Sequence, residues 1–251
     1  MSSAIYPSLA GKRVLVTGGG SGIGSAIVED FVRQQARVWF IDIIEDESRT
    51  LAQRLGAGQA QFRHCDLTDI QALSACIRDI AAQAGGLDIL VNNAANDERH
   101  RIEDITPAYW DQRIAVNLRH LLFCSQAALP ALKAAGGGAI INLGSISWHL
   151  ALPELVLYET AKAGIEGMTR ALARDLGRHD IRVNCVVPGA VRTPRQMRLW
   201  HKPEEEARML EQQCLKQRVD PEHVAAMVSF LASDDARMCT AHNYFVDAGW
   251  R

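Results

Sequence analysis

Residues Arg13 to Gly24 constrain this chain more than any other stretch. A β-favouring run, Arg13-Val14-Leu15-Val16-Thr17, passes straight into Gly18-Gly19-Gly20-Ser21-Gly22-Ile23-Gly24 and then into an amphipathic segment. A strand, a glycine-dependent turn and a helix N-terminus therefore follow one another within a dozen residues. Glycines at 18, 22 and 24 let the backbone turn tightly and approach an anion without interference from a Cβ. The first N–H groups and the dipole of the following helix favour negative charge at that point. In this strand–turn–helix context the motif predicts a pyrophosphate cradle for a dinucleotide at the edge of an α/β sheet.

The rest of the chain keeps the alternation that such a sheet needs. Strands are predicted at Arg13–Thr17, Arg37–Asp42, Gln61–Cys65, Asp88–Asn92, Ala139–Leu143, Arg182–Val187 and Asn243–Val246. Several are nearly unbroken apolar runs, as strands covered on both faces require. Helices fit between them at Ile23–Gln34, Asp46–Leu55, Asp69–Gln83, Pro107–Leu132, Val156–Arg178 and Pro221–Ser233. Asp69 and Asp220 suit helix caps, and Pro107 and Pro221 suit a first helical turn. The expected fold class is α/β: a Rossmann-type, doubly wound, parallel seven-stranded sheet with helices on both faces. Without a repeat or a Pro/Gly/Ser linker, residues 1–251 read as a single domain. The irregular segment 190–218, rich in Arg, Lys, Glu and Met, follows the sixth strand, where a substrate lid or a solvated helical excursion fits.

Twenty-seven basic and 29 acidic residues give a net charge of -2, which leaves no electrostatic footprint for nucleic acid or an anionic membrane. No apolar run reaches the length of a membrane span, and the first residues lack the pattern of a secretory signal, so a cytoplasmic protein is expected. Six scattered cysteines and eight histidines show no zinc spacing, and no metal site is expected.

Further candidate residues follow the strands. Asp42 ends the second strand, where a carboxylate can accept hydrogen bonds from adenosine ribose hydroxyls and would repel a 2′-phosphate. NAD is thus expected over NADP. Asp66, after the third strand, could accept from an adenine amino group. Asn92-Asn93-Ala94-Ala95, after the fourth, combines small residues that permit close backbone approach with amides that can satisfy loop backbone groups. Tyr158 and Lys162 stand four apart in a helical segment and project from one face. A tyrosine is a poor base at neutral pH, and an adjacent ammonium would favour its phenolate.

Taken in order, Thr17 to Gly24, Asp66, Asn92–Ala95, Asn117, Ser145, Tyr158 to Lys162, Pro188-Gly189 and Thr193 resemble the short-chain dehydrogenase/reductase family over essentially the whole chain. The resemblance implies that Tyr158 is the acid/base and that Ser145 hydrogen-bonds the reacting oxygen. It also implies that Lys162 binds the nicotinamide ribose and lowers the tyrosine pKa, and that Asn117 holds a water linking Lys162 to solvent. Cofactor contacts are implied at Gly18, Ser21, Gly22, Ile23, Gly24, Asp42, Asp66 and Leu67, then at Asn93, Ala94, Tyr158 and Lys162. The last group comprises Pro188, Gly189, Val191 and Thr193. Ala95 departs from the family, which usually has glycine there; the change is harmless if that residue has negative φ.

Substrate is not set by the family, because the fold hosts many. The polar loop Asn96 to His100 and the trio Ser147-Trp148-His149 suit a polyhydroxylated ligand, with side chains for hydroxyls and an indole for an apolar sugar face. The stretches Asn92–His100, Gly144–Leu150, Val156–Lys162 and Thr193–Gln196, with the ending Asp247 to Arg251, are similar to bacterial aldose 1-dehydrogenases. That similarity implies oxidation of an aldopentose, D-xylose or L-arabinose, at C1 to the aldonolactone. Asn96, His100, Ser145, Ser147, Trp148, His149 and Tyr158 are the expected sugar contacts. Another sugar (L-fucose, D-galactose, D-glucose), a 3-oxoacyl or carbonyl reductase, and a dinucleotide-sensing protein are the alternatives. The family resemblance also implies a homotetramer, with Trp250-Arg251 packing at a subunit interface.

Overall fold

Seven parallel strands form one sheet in the order β3-β2-β1-β4-β5-β6-β7 in this computed structural model, which describes residues 4–56, 58–199 and 202–250. They are β1 (Arg13–Thr17), β2 (Arg37–Asp42), β3 (Ala60–His64), β4 (Ile89–Asn92), β5 (Gly138–Leu143), β6 (Ile181–Pro188) and β7 (Asn243–Val246). The helices are α1 (Gly22–Arg33), α2 (Glu45–Leu55), α3 (Ile70–Ala84), α4 (Pro107–Ile114), α5 (His120–Ala134) and α6 (Ser147–Leu150). They continue as α7 (Val156–Leu176), α8 (Pro194–Leu199), α9 (Pro203–Gln212) and α10 (Pro221–Ala232).

The apolar runs of the strands follow from burial on both faces. Successive residues point to opposite sides, so Val14 and Val16 join the core under α1 and α10 with Val91 and Ile141. Leu15 points the other way and packs with Leu90, Ile140 and residues of α3 and α5. A polar residue in either register would face a core, which is why alternation is missing from the sequence here.

The helices begin and end where their chemistry dictates. Asp69 caps α3 by accepting from the N–H groups of Gln71 and Ala72, and Thr106 caps α4 by accepting from Tyr109. Most boundaries shift from expectation by a residue or two, and two of the differences have a visible cause. β3 runs one residue earlier because Ala60 already pairs with Val38 at this outer strand. The expected single helix 107–132 is interrupted at Ala115–Arg119 by a π turn, one surplus residue in the helical register. The segment 190–218 contains α8 and α9, each opening on a proline, with Glu204, Glu205 and Glu206 in the first turn of α9.

Strand order reverses between β1 and β4, and their carboxyl ends part to leave a crevice. Among the described residues no helix is long and apolar enough to cross a membrane.

At the crevice floor a Cβ on Gly24 would lie 1.8 Å from the carbonyl oxygen of Gly18, a backbone atom that cannot move aside cheaply. Gly24→Ala is expected to cost more than about 3 kcal/mol, or about 6–12 °C in Tm for a chain of this size. Gly177→Ala, with no atom within 4 Å of its Cβ position, should leave Tm nearly unchanged. Equal Tm values for the two variants, read by calorimetry, would contradict this packing.

Candidate active site

Thr17 and Asn93 join the two strand ends that border the crevice. The Thr17 hydroxyl accepts from the N–H groups of Asn93 and Ala94 at 3.0 and 3.1 Å, and the Asn93 amide donates to the carbonyls of Thr17 and Gly18 at 3.0 and 2.9 Å. The glycine loop is thereby drawn against β4, and a Cβ on Gly18, whose φ is +63°, would meet the Ala94 backbone at 2.8 Å. Ala95 does not adopt positive φ, so its methyl group fits the backbone there without strain.

A cleft of about 850 Å³ opens above this floor. Its walls carry Gly18, Ser21, Gly22, Ile23 and Gly24 from the loop and the start of α1, together with Asp42, Asp66 and Leu67. Asn93, Ala94, Pro188, Gly189, Val191 and Thr193 complete that half. Asp42 accepts from the N–H groups of Gly20 at 2.9 Å and Ile44 at 3.0 Å, so it shapes the loop as well as facing the cleft. Asp66 is turned on itself, accepting from the N–H and hydroxyl of Thr68. The donor-rich helix start, the acidic rim and the apolar floor suit a dinucleotide.

The other half holds the proton-transfer candidates. Ser145 follows β5, and its Oγ accepts from the N–H of Ser147 at 3.2 Å. Ser145 also hydrogen-bonds Tyr158, which α7 brings to the same wall. Lys162, one turn on, is buried; its Nζ donates to the Leu143 carbonyl at 2.8 Å and lies 5.4 Å from the Tyr158 ring centre. Asn117 sits in the π turn, where its Oδ1 accepts from the N–H of Asn96 at 2.8 Å and its buried Nδ2 has no partner. His120 Nε2 lies 3.2 Å from the Ala94 carbonyl.

Burial sets the charge states here. It pushes the Tyr158 phenol well above its ordinary value; Asp97 adds to the rise and the Ser145 hydrogen bond opposes it. The Lys162 ammonium donates to the Leu143 carbonyl and does not offset this rise. Burial also pushes Lys162 down to about 8 and His120 down to about 4, the latter with help from the Lys162 charge. All three shifts favour the neutral form.

Of the expected sugar contacts, Asn96, Ser145, Ser147 and Tyr158 lie on the cleft wall, whereas His100, Trp148 and His149 do not. Trp148 Nε1 donates to Glu166 at 2.7 Å, His149 Nε2 lies 2.9 Å from the same oxygen, and the two rings stack at 3.8 Å. His100 Nε2 accepts from the N–H of Leu157, capping the start of α7 beside a separate shallow hollow. The wall also carries Asp97, Arg195 and Gln196, which were not among the expected contacts. Asp97 accepts from Arg195 Nε at 3.1 Å and Gln196 Nε2 at 2.6 Å, tying the loop after β4 to α8. Arg113 donates to the Asn96 carbonyl. Trp250 lies on the cleft of its own chain, its Nε1 donating to Gln212 at 2.9 Å, while Arg251 lies outside the described residues.

A family model described as enoyl-(acyl carrier protein) reductase matches residues 18–251. The solved structure of a putative short-chain alcohol dehydrogenase from Sinorhizobium meliloti 1021 superposes with a TM-score of 0.92 at 33% identity, covering 97% of this chain and 98% of that one. A D-xylose 1-dehydrogenase of Caulobacter vibrioides is 60% identical over 253 residues, 100% of both chains. The chain belongs to the short-chain dehydrogenase/reductase family. This short-chain dehydrogenase is also 45% identical to a probable galactose dehydrogenase of Rhizobium meliloti, over 99% of the chain and 98% of the relative. Membership makes it an oxidoreductase that uses a nicotinamide cofactor.

Asp97 supplies a test of the electrostatics. Its negative charge disfavours the Tyr158 phenolate, so Asp97→Asn should lower the tyrosine pKa. With Tyr158 as the base that the family resemblance implies, the acid limb of kcat/KM for alcohol oxidation should then move to lower pH. The midpoint is the readout; an unchanged midpoint would show that Asp97 does not act on Tyr158.

Proposed function

We propose that this dehydrogenase oxidises D-xylose at C1 to the lactone with NAD as the hydride acceptor. The observation that carries the proposal is the cleft wall beside Tyr158, which is polar in the manner of a polyol site. Asn96, Asp97, Ser145 and Ser147 line it, and the buried Ser147 Oγ has no hydrogen-bond partner within the protein. A buried hydroxyl costs free energy unless a ligand or water completes it. The 60% identity to a D-xylose 1-dehydrogenase supports a pentose, L-arabinose being the other candidate. The 45% identity to a probable galactose dehydrogenase supports D-galactose as a second reading.

In this proposal Tyr158 takes the proton of the C1 hydroxyl, and Ser145 donates a hydrogen bond to the reacting oxygen. Positioned base catalysis of this kind contributes typically ~10²–10⁴-fold. The glycine loop, Asp42, Lys162, Pro188, Gly189 and Thr193 would hold NAD, which when bound would supply the acceptor for the hydride from C1. Lys162, already pushed towards losing its proton, is placed to pass charge from Tyr158 towards Asn117, whose unpaired Nδ2 can hold a bridging water. Helices α8 and α9 act as a lid, latched by Arg195 and Gln196 on Asp97. The homotetramer that the family resemblance implies would offer exposed Trp110, Leu122 and Val156 on α4, α5 and α7 a place to be covered. Six unpaired cysteines suit the reducing cytoplasm.

NADH formation at 340 nm should be strongest with D-xylose among D-xylose, L-arabinose, D-galactose, D-glucose and L-fucose. Tyr158→Phe should lower kcat at least about 100-fold. Activity confined to acyl or carbonyl substrates with NADPH would overturn the sugar reading.

Cofactor choice is tested separately. NAD should exceed NADP in kcat/KM by more than about tenfold, through repulsion between Asp42 and a 2′-phosphate. Asp42→Asn should shrink that ratio even if the loop it braces weakens binding of both. A ratio unmoved by the substitution would assign the preference elsewhere.

A further inference from the structure

Glu166 stands on α7 at the same four-residue interval beyond Lys162 that separates Lys162 from Tyr158. It is a buried carboxylate and is not part of the cleft wall. Three side chains from two other segments converge on it. Trp148 Nε1 at 2.7 Å and His149 Nε2 at 2.9 Å meet Oε1, and Asn243 Nδ2 of β7 donates to Oε2. Desolvating a carboxylate is costly, and charge-assisted hydrogen bonds to several donors are what make such a site stable.

The segment so gripped begins just after Ser145. Four residues of helix, α6, are too few to hold their own position. α6 ends on Ala151 at φ +52°, and Leu152 is tied back to Glu159 of α7. Ser147, the first residue of α6, donates its N–H to Ser145 Oγ, and Ser145 in turn hydrogen-bonds Tyr158. A chain of contacts therefore runs from Glu166 through Trp148 and His149 to α6, then to Ser145 and back to Tyr158 on the helix where it began.

We infer that Glu166 is a positioning residue: by clamping Trp148 and His149 to the catalytic helix it fixes the distance between Ser145 and Tyr158. The inference rests on Ser145 and Tyr158 being the proton-transfer pair, and it is independent of which alcohol they act on. A displacement of about 1 Å between reacting groups costs on the order of 10²-fold in rate. Binding of the dinucleotide, in the other half of the cleft, is not routed through this clamp.

The test measures kcat on whichever alcohol the wild-type enzyme oxidises fastest, so failure of the D-xylose assignment leaves it intact. Dinucleotide affinity is followed by fluorescence titration without substrate. Glu166→Ala should lower kcat about 30- to 100-fold with dinucleotide affinity within about twofold of wild type. Glu166→Gln keeps an acceptor for Trp148, and turning over the Asn243 amide brings its partnerless Oδ1 to the new N–H, so this variant should recover kcat to within about fivefold. The indole N–H resonance of Trp148 should shift in Glu166→Ala and return towards its wild-type position in Glu166→Gln. A folded Glu166→Ala enzyme with wild-type kcat, or with affinity lost as much as kcat, would overturn the inference. Should that variant not fold, Trp148→Phe carries the test: a several-fold loss of kcat at unchanged affinity supports the clamp, and an unchanged kcat overturns it.

Discussion

Strands β1 and β4 lie side by side in the sheet and then send their chains in opposite directions. What keeps their ends together across that divergence is the pair of hydrogen bonds into the Thr17 hydroxyl and the pair out of the Asn93 amide. The glycine loop leaves one strand and the Asn96–Asp97 loop leaves the other. The two halves of the cleft therefore share one stitched floor. Beneath it, Asn92 donates to Asn142 at 2.9 Å, and Asn142 donates to Thr169 of α7 at 2.9 Å. This buried polar ladder ties the helix of Tyr158 to the same strands. Such a network is favourable only when its members find partners, and in return it permits few alternative packings.

The electrostatic character of the cleft follows from that closeness. Tyr158, Lys162 and His120 occupy a poorly solvated corner, and each is driven towards its uncharged form. A tyrosine held neutral is a reservoir that gives up its proton only when something stabilises the phenolate, and the Ser145 hydrogen bond is the contribution visible in the protein itself. Asp97 pulls in the other direction while spending both carboxylate oxygens on α8. The proposed lid and the proposed base thus meet at one side chain.

Much of this was legible from residue order because it rests on local chemistry. Strands buried on both faces announce themselves as apolar runs, and the start of a helix announces itself through Asp69, Asp220 and the prolines. Tyr158 and Lys162 were visible because four-residue spacing survives folding. What escaped depends on contacts between distant positions. Asp97 meets Arg195 and Gln196 nearly a hundred residues away, and nothing local marks that pairing. Trp148 and His149 looked like pocket residues because they follow Ser145 directly. A buried acceptor on another helix, Glu166, turned them the opposite way. The π turn was hidden because its residues are ordinary helix formers, and only the grip on Asn96 calls for the surplus residue.

That grip comes from two sides. Arg113 donates to the carbonyl of Asn96 and Asn117 accepts from its N–H, so the peptide units on both sides of this one loop residue are pinned by successive turns of a single helical rod. Removing one residue from the π turn would relax the rod into regular α-helix and rotate everything after it by about 100°. His120 would swing away from Ala94 and α5 would present a different stripe to the sheet. Chain length between Pro107 and Ala134 is therefore as strictly conditioned as any side chain in the cleft. Insertions and deletions tolerated in surface loops should be absent from this stretch, although most of its individual residues could be exchanged.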